Sequence, residues 1–378
     1  MRLKRIIIPF IVFSLFSCKS TIVTSKTVSN PNNTPKNVIL LISDGTGLSQ
    51  ISSAFYYKES TPNYTRFKNI GLINTSSSRE DVTDSAAGAT AFACGEKTYN
   101  GAVGVAADST NLGNIVELVA SKNIKTGVIA TLAITHATPA CFYAHTFSRD
   151  SQEEIASQLT RSNVDFFAGG GLKFFNDRKD GQNLLINLKN NQFDVYTNAL
   201  TEFATIESSN KIGFLLSNEG MPKMEEGRGD FLSKATELGI QFLSKDDSGF
   251  FLMSEGSQID WGGHANNASW LISELIDFDN VIGKVLDFAE KDGHTLVVVT
   301  SDHETGGFTL AAKKKKREDG SEYSDYSEIG PTFSTGGHSA TLIPVFAYGP
   351  GSEEFKGVYE NNEIFHKIMK VTNWGKAK

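Results

Sequence analysis

The sequence predicts an α/β fold, a doubly wound, mostly parallel sheet flanked by helices. Three observations lead there. Continuous apolar runs of strand length recur along the chain, the pattern of strands buried on both faces. Amphipathic helical patterns lie between them, the alternation from which parallel sheets are built. Three of the runs lead into acidic or imidazole side chains, at the carboxyl ends where such sheets gather their ligands.

The first residues stand apart from the fold. Met1-Arg2-Leu3-Lys4-Arg5 is basic, and residues 6–16 form an apolar stretch interrupted by Pro9, too short to span a bilayer. Residues 1–18 read as an export signal peptide. Their end, Leu15-Phe16-Ser17-Cys18, resembles a bacterial lipobox. That implies a lipid anchor at Cys18 and a periplasmic or membrane-anchored protein; an ordinary cleaved signal would export it equally. Residues 19–36, rich in Ser, Thr, Asn and Pro, read as a flexible tether.

The fold begins with Asn37-Val38-Ile39-Leu40-Leu41-Ile42-Ser43, followed at once by Asp44-Gly45. Further strands are expected at 128–131, 250–253 (leading into Ser254-Glu255) and 295–300 (leading into Asp302-His303), with helices over 113–121, 231–243 and 269–288. Residues 150–223 are the least legible part. The run Lys313-Lys314-Lys315-Lys316-Arg317 reads as a solvated loop tip. With no internal repeat and no linker, 37–378 is read as a single domain.

The composition, 39% hydrophobic and 21% charged, is that of a globular protein with a sizeable core. A net charge of -7 gives no general attraction to nucleic acid, and no nucleic-acid-binding module is expected. Cys94 and Cys141 sit among small residues, which favours two buried thiols, although export would permit a disulfide.

The chemistry centres on Val82-Thr83-Asp84-Ser85-Ala86-Ala87-Gly88-Ala89-Thr90-Ala91. An Ala-rich helix starting at Asp84 or Ser85 would place Ser85 where helix N–H groups favour an anion. On this segment alone, an ordinary cap on a core helix fits equally well. Other clusters decide the matter. Asp260 and His264 are four positions apart, one face of a helical turn. Asp302 and His303 follow a strand, and His338 sits in a Gly-rich loop before the apolar run 342–348. Singly these signals are weak. Together, imidazole and carboxylate at strand ends suit zinc.

The segment from Asp81 to Ala91, continuing through Lys97-Thr98-Tyr99-Asn100-Gly101-Ala102, resembles the nucleophile segment of alkaline phosphatases, particularly small cold-adapted bacterial members. The remaining motifs follow in the family's order from Asn37 to Pro350. The resemblance implies hydrolysis of phosphate monoesters through a phosphoserine at Ser85. It implies two zinc ions, one held by Asp260, His264 and His338, the other by Asp44, Asp302 and His303 with Ser85 completing it. One magnesium ion would be held by Asp44, Thr138 and Glu255, an all-oxygen set. Arg149 would bind phosphate, Asp84 would orient Arg149, and the protein would be a homodimer. Two positions depart from the best-known enterobacterial members: His136 stands where they have an aspartate near magnesium, and Trp261 where they have a lysine. Both would act behind the direct ligands, loosening magnesium and phosphate respectively. The nearest rivals are a phosphodiesterase or a sulfatase of the same superfamily. A non-catalytic surface lipoprotein would not need a complete set of ligands.

Overall fold

Strand β1 (Asn37–Ser43) has every side chain buried, because neighbours cover it on both edges and both faces. The computed structural model describes residues 34–375, so the expected signal peptide, Cys18 and most of the tether lie outside the described residues. In chain order the other strands are β2 (Asn69–Asn74), β3 (Lys125–Ala133), β4 (Phe166–Gly170), β5 (Phe193–Tyr196), β6 (Lys211–Leu215), β7 (Phe250–Gly256) and β8 (Thr295–Thr300). They are followed by β9 (Glu304–Thr305), β10 (Thr309–Lys316), β11 (Glu322–Thr332), β12 (His338–Ser339), β13 (Ile343–Tyr348) and β14 (Gly357–Glu360).

Ten of these strands form one sheet in the order β14-β2-β13-β8-β1-β7-β3-β4-β6-β5. Strand β13 pairs antiparallel with both β2 and β8, and the other described pairings in this sheet are parallel. The expectation of a mostly parallel, helix-flanked sheet is met. Alternation along β1 divides the interior into two cores. Val38, Leu40 and Ile42 pack with Ala86, Phe92, Ile115 and Ile155 on one face. Ile39 and Leu41 pack with Leu232, Leu275 and Phe278 on the other. Each buried Val, Leu, Ile or Phe side chain among them contributes about 1.5–3 kcal/mol by leaving water.

The helices that matter for the site are α1 (Leu48–Tyr57), α2 (Ser85–Cys94), α3 (Ile115–Ala120), α4 (Ala137–Ala140) and α5 (Gln152–Leu159). Two later helices, Gln258–His264 and Ala268–Asp292, follow β7. Residues 150–223 hold α5 and the short strands β4, β5 and β6 at one end of the sheet.

One expectation is corrected. The lysine run is not a loop tip: Lys313 to Lys316 belong to β10, paired antiparallel with β11. Lysines are tolerated there because the partner strand supplies carboxylates, with Lys313 2.9 Å from Glu328 and Lys315 2.6 Å from Asp325. Cys94 and Cys141 are free thiols, Cys141 buried and Cys94 partly so.

Candidate active site

Strands β8, β1 and β7 are adjacent, and each ends in a carboxylate. In register, Ile42 lies beside Thr300 of β8 and Glu255 of β7. Asp44 follows β1, Glu255 is the next-to-last residue of β7, and Asp302 follows β8. All three are fully buried. Gly45, at φ +73°, makes the turn after Asp44; a Cβ there would stand 2.6 Å from Asp260 Cα, so this close approach requires glycine.

Helix α2 begins at Ser85, with Asp84 as its N-cap: one carboxylate oxygen accepts from Ala87 N at 3.0 Å. The other accepts from Gly101 N at 3.0 Å and from Arg149 Nη1 at 2.9 Å. Burial alone would raise the Asp84 carboxyl, but the Arg149 charge and these N–H groups outweigh it and hold it below its ordinary value. Arg149 in turn reaches His136 Nε2 through Nη2 at 3.4 Å. Burial, reinforced by the Arg149 charge, pushes the His136 imidazole down to about 3, so this ring is neutral and accepts. The small residues of α2 have a structural reason: a Cβ on Gly88 would stand 2.9 Å from Asp302 Cβ. Only a bare helix face can lie this close to the ligand cluster.

The ring of His303 lies at the centre. Its Nε2 is 3.2 Å from Ser85 Oγ, 3.4 Å from Asp302 Oδ2 and 3.6 Å from Asp44 Oδ1. Beside it, His264 Nε2 is 3.4 Å from Asp260 Oδ2 and 3.2 Å from His338 Nε2, and His338 Nε2 is 3.7 Å from Asp260 Oδ1. The rings of His303 and His338 stack with centroids 3.5 Å apart. Asp260, His264 and His338 could hold one metal ion; a second group, Asp44, Asp260 and His303, has Asp260 in place of the expected Asp302, whose Oδ2 is 3.4 Å from His303 Nε2. Burial, followed by the His303 ring, lowers the His338 imidazole.

Among the described residues, several buried oxygens here have no hydrogen-bond partner: both of Asp44, both of Glu255, Oδ2 of Asp302 and the Thr138 hydroxyl. Burial first, then the charges of Asp302, Asp260 and Glu255, pushes the Asp44 carboxyl well above its ordinary value. The Glu255 carboxyl is pushed up to about 8, mainly by burial, with the Asp302 charge adding to it. Acidic groups left this close without donors fit cations, since an uncompensated buried charge is costly. Trp261 projects from the next helix with 46% exposure.

Sequence reasoning missed the groups that hold these ligands. Thr305 Oγ1 donates to Asp260 Oδ1 and faces His303 Nδ1 at 3.2 Å. Buried Glu304 accepts from Gln50 Nε2 at 2.6 Å, from Phe308 N at 3.0 Å and from Ser339 Oγ. His338 Nδ1 is 2.8 Å from Thr83 O and His264 Nδ1 2.7 Å from Gly336 O; carbonyl acceptors leave Nε2 as the ligand atom. Backbone acceptors carry no sequence signal.

The chain is similar to known proteins over nearly its whole described length. A family model described as alkaline phosphatase matches residues 35–315 and 307–374. Alkaline phosphatase 3 of Bacillus subtilis is 34% identical, covering 90% of this chain and 89% of its own. The structure of alkaline phosphatase from the Antarctic bacterium TAB5 is 71% identical with a TM-score of 0.89, covering 91% of this chain and 99% of that one. A TAB5 mutant with one histidine replaced by aspartate, with Mg bound in its M3 site, is 73% identical with a TM-score of 0.90 over the same shares. With its family-length match and the sheet that carries these residues, the chain belongs to the alkaline phosphatase family and is a phosphatase.

Proposed function

We propose that this phosphatase hydrolyses phosphate monoesters through a phosphoserine at Ser85 and releases inorganic phosphate. The observation that carries this reading is the position of Ser85 Oγ, at the start of α2 and 3.2 Å from His303 Nε2, amid carboxylates that lack donors. Ser85 has no Ser-His-Asp relay, because His303 Nδ1 faces the Thr305 hydroxyl, not a carboxylate. Its activation falls to cations. Asp260, His264 and His338 are assigned one zinc ion, and Asp44, Asp302 and His303 with Ser85 a second. Asp44, Thr138 and Glu255 are assigned magnesium, a reading supported by the Mg bound in the M3 site of the TAB5 mutant that carries aspartate in place of one histidine. Bound there, the ions would favour the deprotonated Ser85 hydroxyl and offset charge on the attacking and leaving oxygens.

The chain's own groups do the rest. Ser85 Oγ attacks phosphorus in line and the ester oxygen departs; water then displaces Ser85, restoring its hydroxyl. Each displacement inverts phosphorus, so net retention is expected. Arg149, pinned by Asp84, offers its planar fork to two phosphoryl oxygens and offsets charge that builds on them. Neutral His136 supports Arg149 without competing for its charge. We further assign the catalytic domain to residues 37–378, export to residues 1–18, a lipid anchor to Cys18 and a homodimeric state. Among the described residues no helix is long and apolar enough to cross a membrane.

The test is phosphomonoesterase activity at alkaline pH for wild type and Ser85→Ala, before and after chelation. Loss in both arms supports the proposal; activity insensitive to both changes overturns it.

A further inference from the structure

His145 lies four residues before Arg149 and has no part in the chemistry above. Its side chain is only 12% exposed, and both ring nitrogens face oxygens: Nδ1 is 2.7 Å from Gly104 O and Nε2 is 3.0 Å from Glu117 Oε1. A neutral imidazole carries one N–H, so both contacts are hydrogen bonds together only when the ring is an imidazolium. The backbone is pinned as well: His145 N donates to Gln158 Oε1 and Gln158 Nε2 donates to His145 O, both at 2.9 Å. Glu117 is itself fixed in the capping box of α3, where its Oε2 accepts from Asn114 N at 3.1 Å. Gly104 sits at φ +61°, and a Cβ there would stand 2.3 Å from Ala144 O and 2.9 Å from His145 Nδ1. The approach of the two segments therefore requires glycine.

From His145 the two segments run side by side to Arg149. Val103 and Thr146 exchange backbone hydrogen bonds of 2.9 Å, and Arg149 N donates to Gly101 O at 2.8 Å. Helix α2 braces the same stretch: Thr90 Oγ1 donates to Ala102 O at 3.1 Å and accepts from Gly104 N at 3.0 Å. The ladder thus has the Asp84–Arg149 pair at one end and the His145–Glu117 pair at the other.

We propose that His145, clamped between the Gly104 carbonyl and Glu117, is a positioning residue that sets residues 145–149 against 101–104 and so aims the Arg149 guanidinium. It rests on the reading of Arg149 as the phosphate-binding group. The cleft beside the ring is lined by Glu117 of α3, by Arg161 after α5, and by the uncharged Asn111, Tyr143 and Gln158.

The experiment uses the full-length, metal-loaded enzyme at mildly acidic to neutral pH, where the His145 ring carries both N–H groups, with inorganic phosphate as inhibitor. KM, kcat, the phosphate inhibition constant, metal content and Tm are measured for His145→Ala, Glu117→Gln and Arg149→Ala. His145→Ala is expected to raise KM and the phosphate constant on the order of tenfold, as expected of a displaced binding group, with metal content unchanged. Glu117→Gln should keep KM and the phosphate constant close to wild type, because a neutral ring still donates from Nδ1 to Gly104 and accepts the glutamine amide at Nε2. His145→Ala added to Arg149→Ala should change the phosphate constant no further. If Arg149→Ala moves KM and the phosphate constant while His145→Ala lowers only Tm, the positioning role is overturned. If Arg149→Ala itself leaves them at wild-type values, the reading of Arg149 fails instead. Should His145→Ala not fold, Glu117→Ala opens the same clamp from its other side and is held to the same outcomes.

Discussion

Replacing Asp84 by Asn separates its two duties. Asparagine caps helices as well as aspartate, so the bond from Ala87 N, at 3.0 Å, survives through the amide oxygen. The amide nitrogen, however, then faces two donors, Arg149 Nη1 at 2.9 Å and Gly101 N at 3.0 Å. The Asp84 and Arg149 side chains are 19% and 25% exposed, so solvent screens the lost pair only partly. Hydrogen bonds to charged groups are worth about 1.5–3 kcal/mol. The lower end applies, because Arg149 keeps its backbone bond to Gly101 and its contact with His136. About 1.5 kcal/mol is roughly tenfold in a binding constant. Asp84→Asn should therefore weaken inhibition by inorganic phosphate about tenfold and lower Tm by a few degrees, while Asp84→Ala should lose about a further 1 kcal/mol of helix capping. The effect should be undiminished at alkaline pH. The Asp84 carboxyl lies below its ordinary value, net of burial that would raise it. Its contribution is present above about 3.9 and is lost only as pH falls through the folded value. A folded, metal-loaded Asp84→Asn enzyme with the wild-type phosphate constant would refute the role given to this pair.

Three further outcomes are expected. Gly88→Ala should cost about 1–3 kcal/mol and reduce metal retention, because its Cβ would stand 2.9 Å from Asp302 Cβ; thermal melts and metal analysis check this. The bond to Glu117, against an opposing effect of burial, raises the His145 imidazole above its ordinary value, so its stabilisation is complete below about 6.5 and disappears as pH rises through the folded value. The stability gap between wild type and Glu117→Gln in urea should accordingly narrow from mildly acidic to alkaline pH. Chelation should lower Tm, since it removes the counter-charge from Asp44, Glu255 and Asp302, and restored metal at a hundred times its Kd should return about 2.7 kcal/mol.

The parts of this molecule that were legible in the sequence are those whose signal is local. All seven residues of β1 are buried; five of them, Val38 to Ile42, form an unbroken apolar run, and the turn into Asp44 follows directly. Asp84, Ser85 and the small residues of α2 are contiguous, and Asp260 and His264 share one helical turn. The end of the sheet built from residues 150–223 was not legible. Its strands β4, β5 and β6 are four or five residues long, and Gly169, Gly170 and Gly213 interrupt their apolar character. The lysine strand was misread because the carboxylates that pair with its lysines, Asp325 and Glu328, lie on a partner strand ten or more residues away. Thr305 was missed for a similar reason: its bond to Asp260 spans 45 positions, and a threonine hydroxyl has no distinctive spacing. His145 stands in the segment with Arg149, yet its clamp is visible only once Gly104 and Glu117 are brought to it.

The most direct measurement of the central claim is acid quenching of the metal-loaded enzyme during turnover of a phosphate monoester, followed by peptide mass analysis. The expected result is a phosphoryl group on Ser85, absent from Ser85→Ala, which should also be inactive. An active Ser85→Ala enzyme, or a phosphoryl group found on another residue of the site, would contradict the assignment of Ser85 as nucleophile.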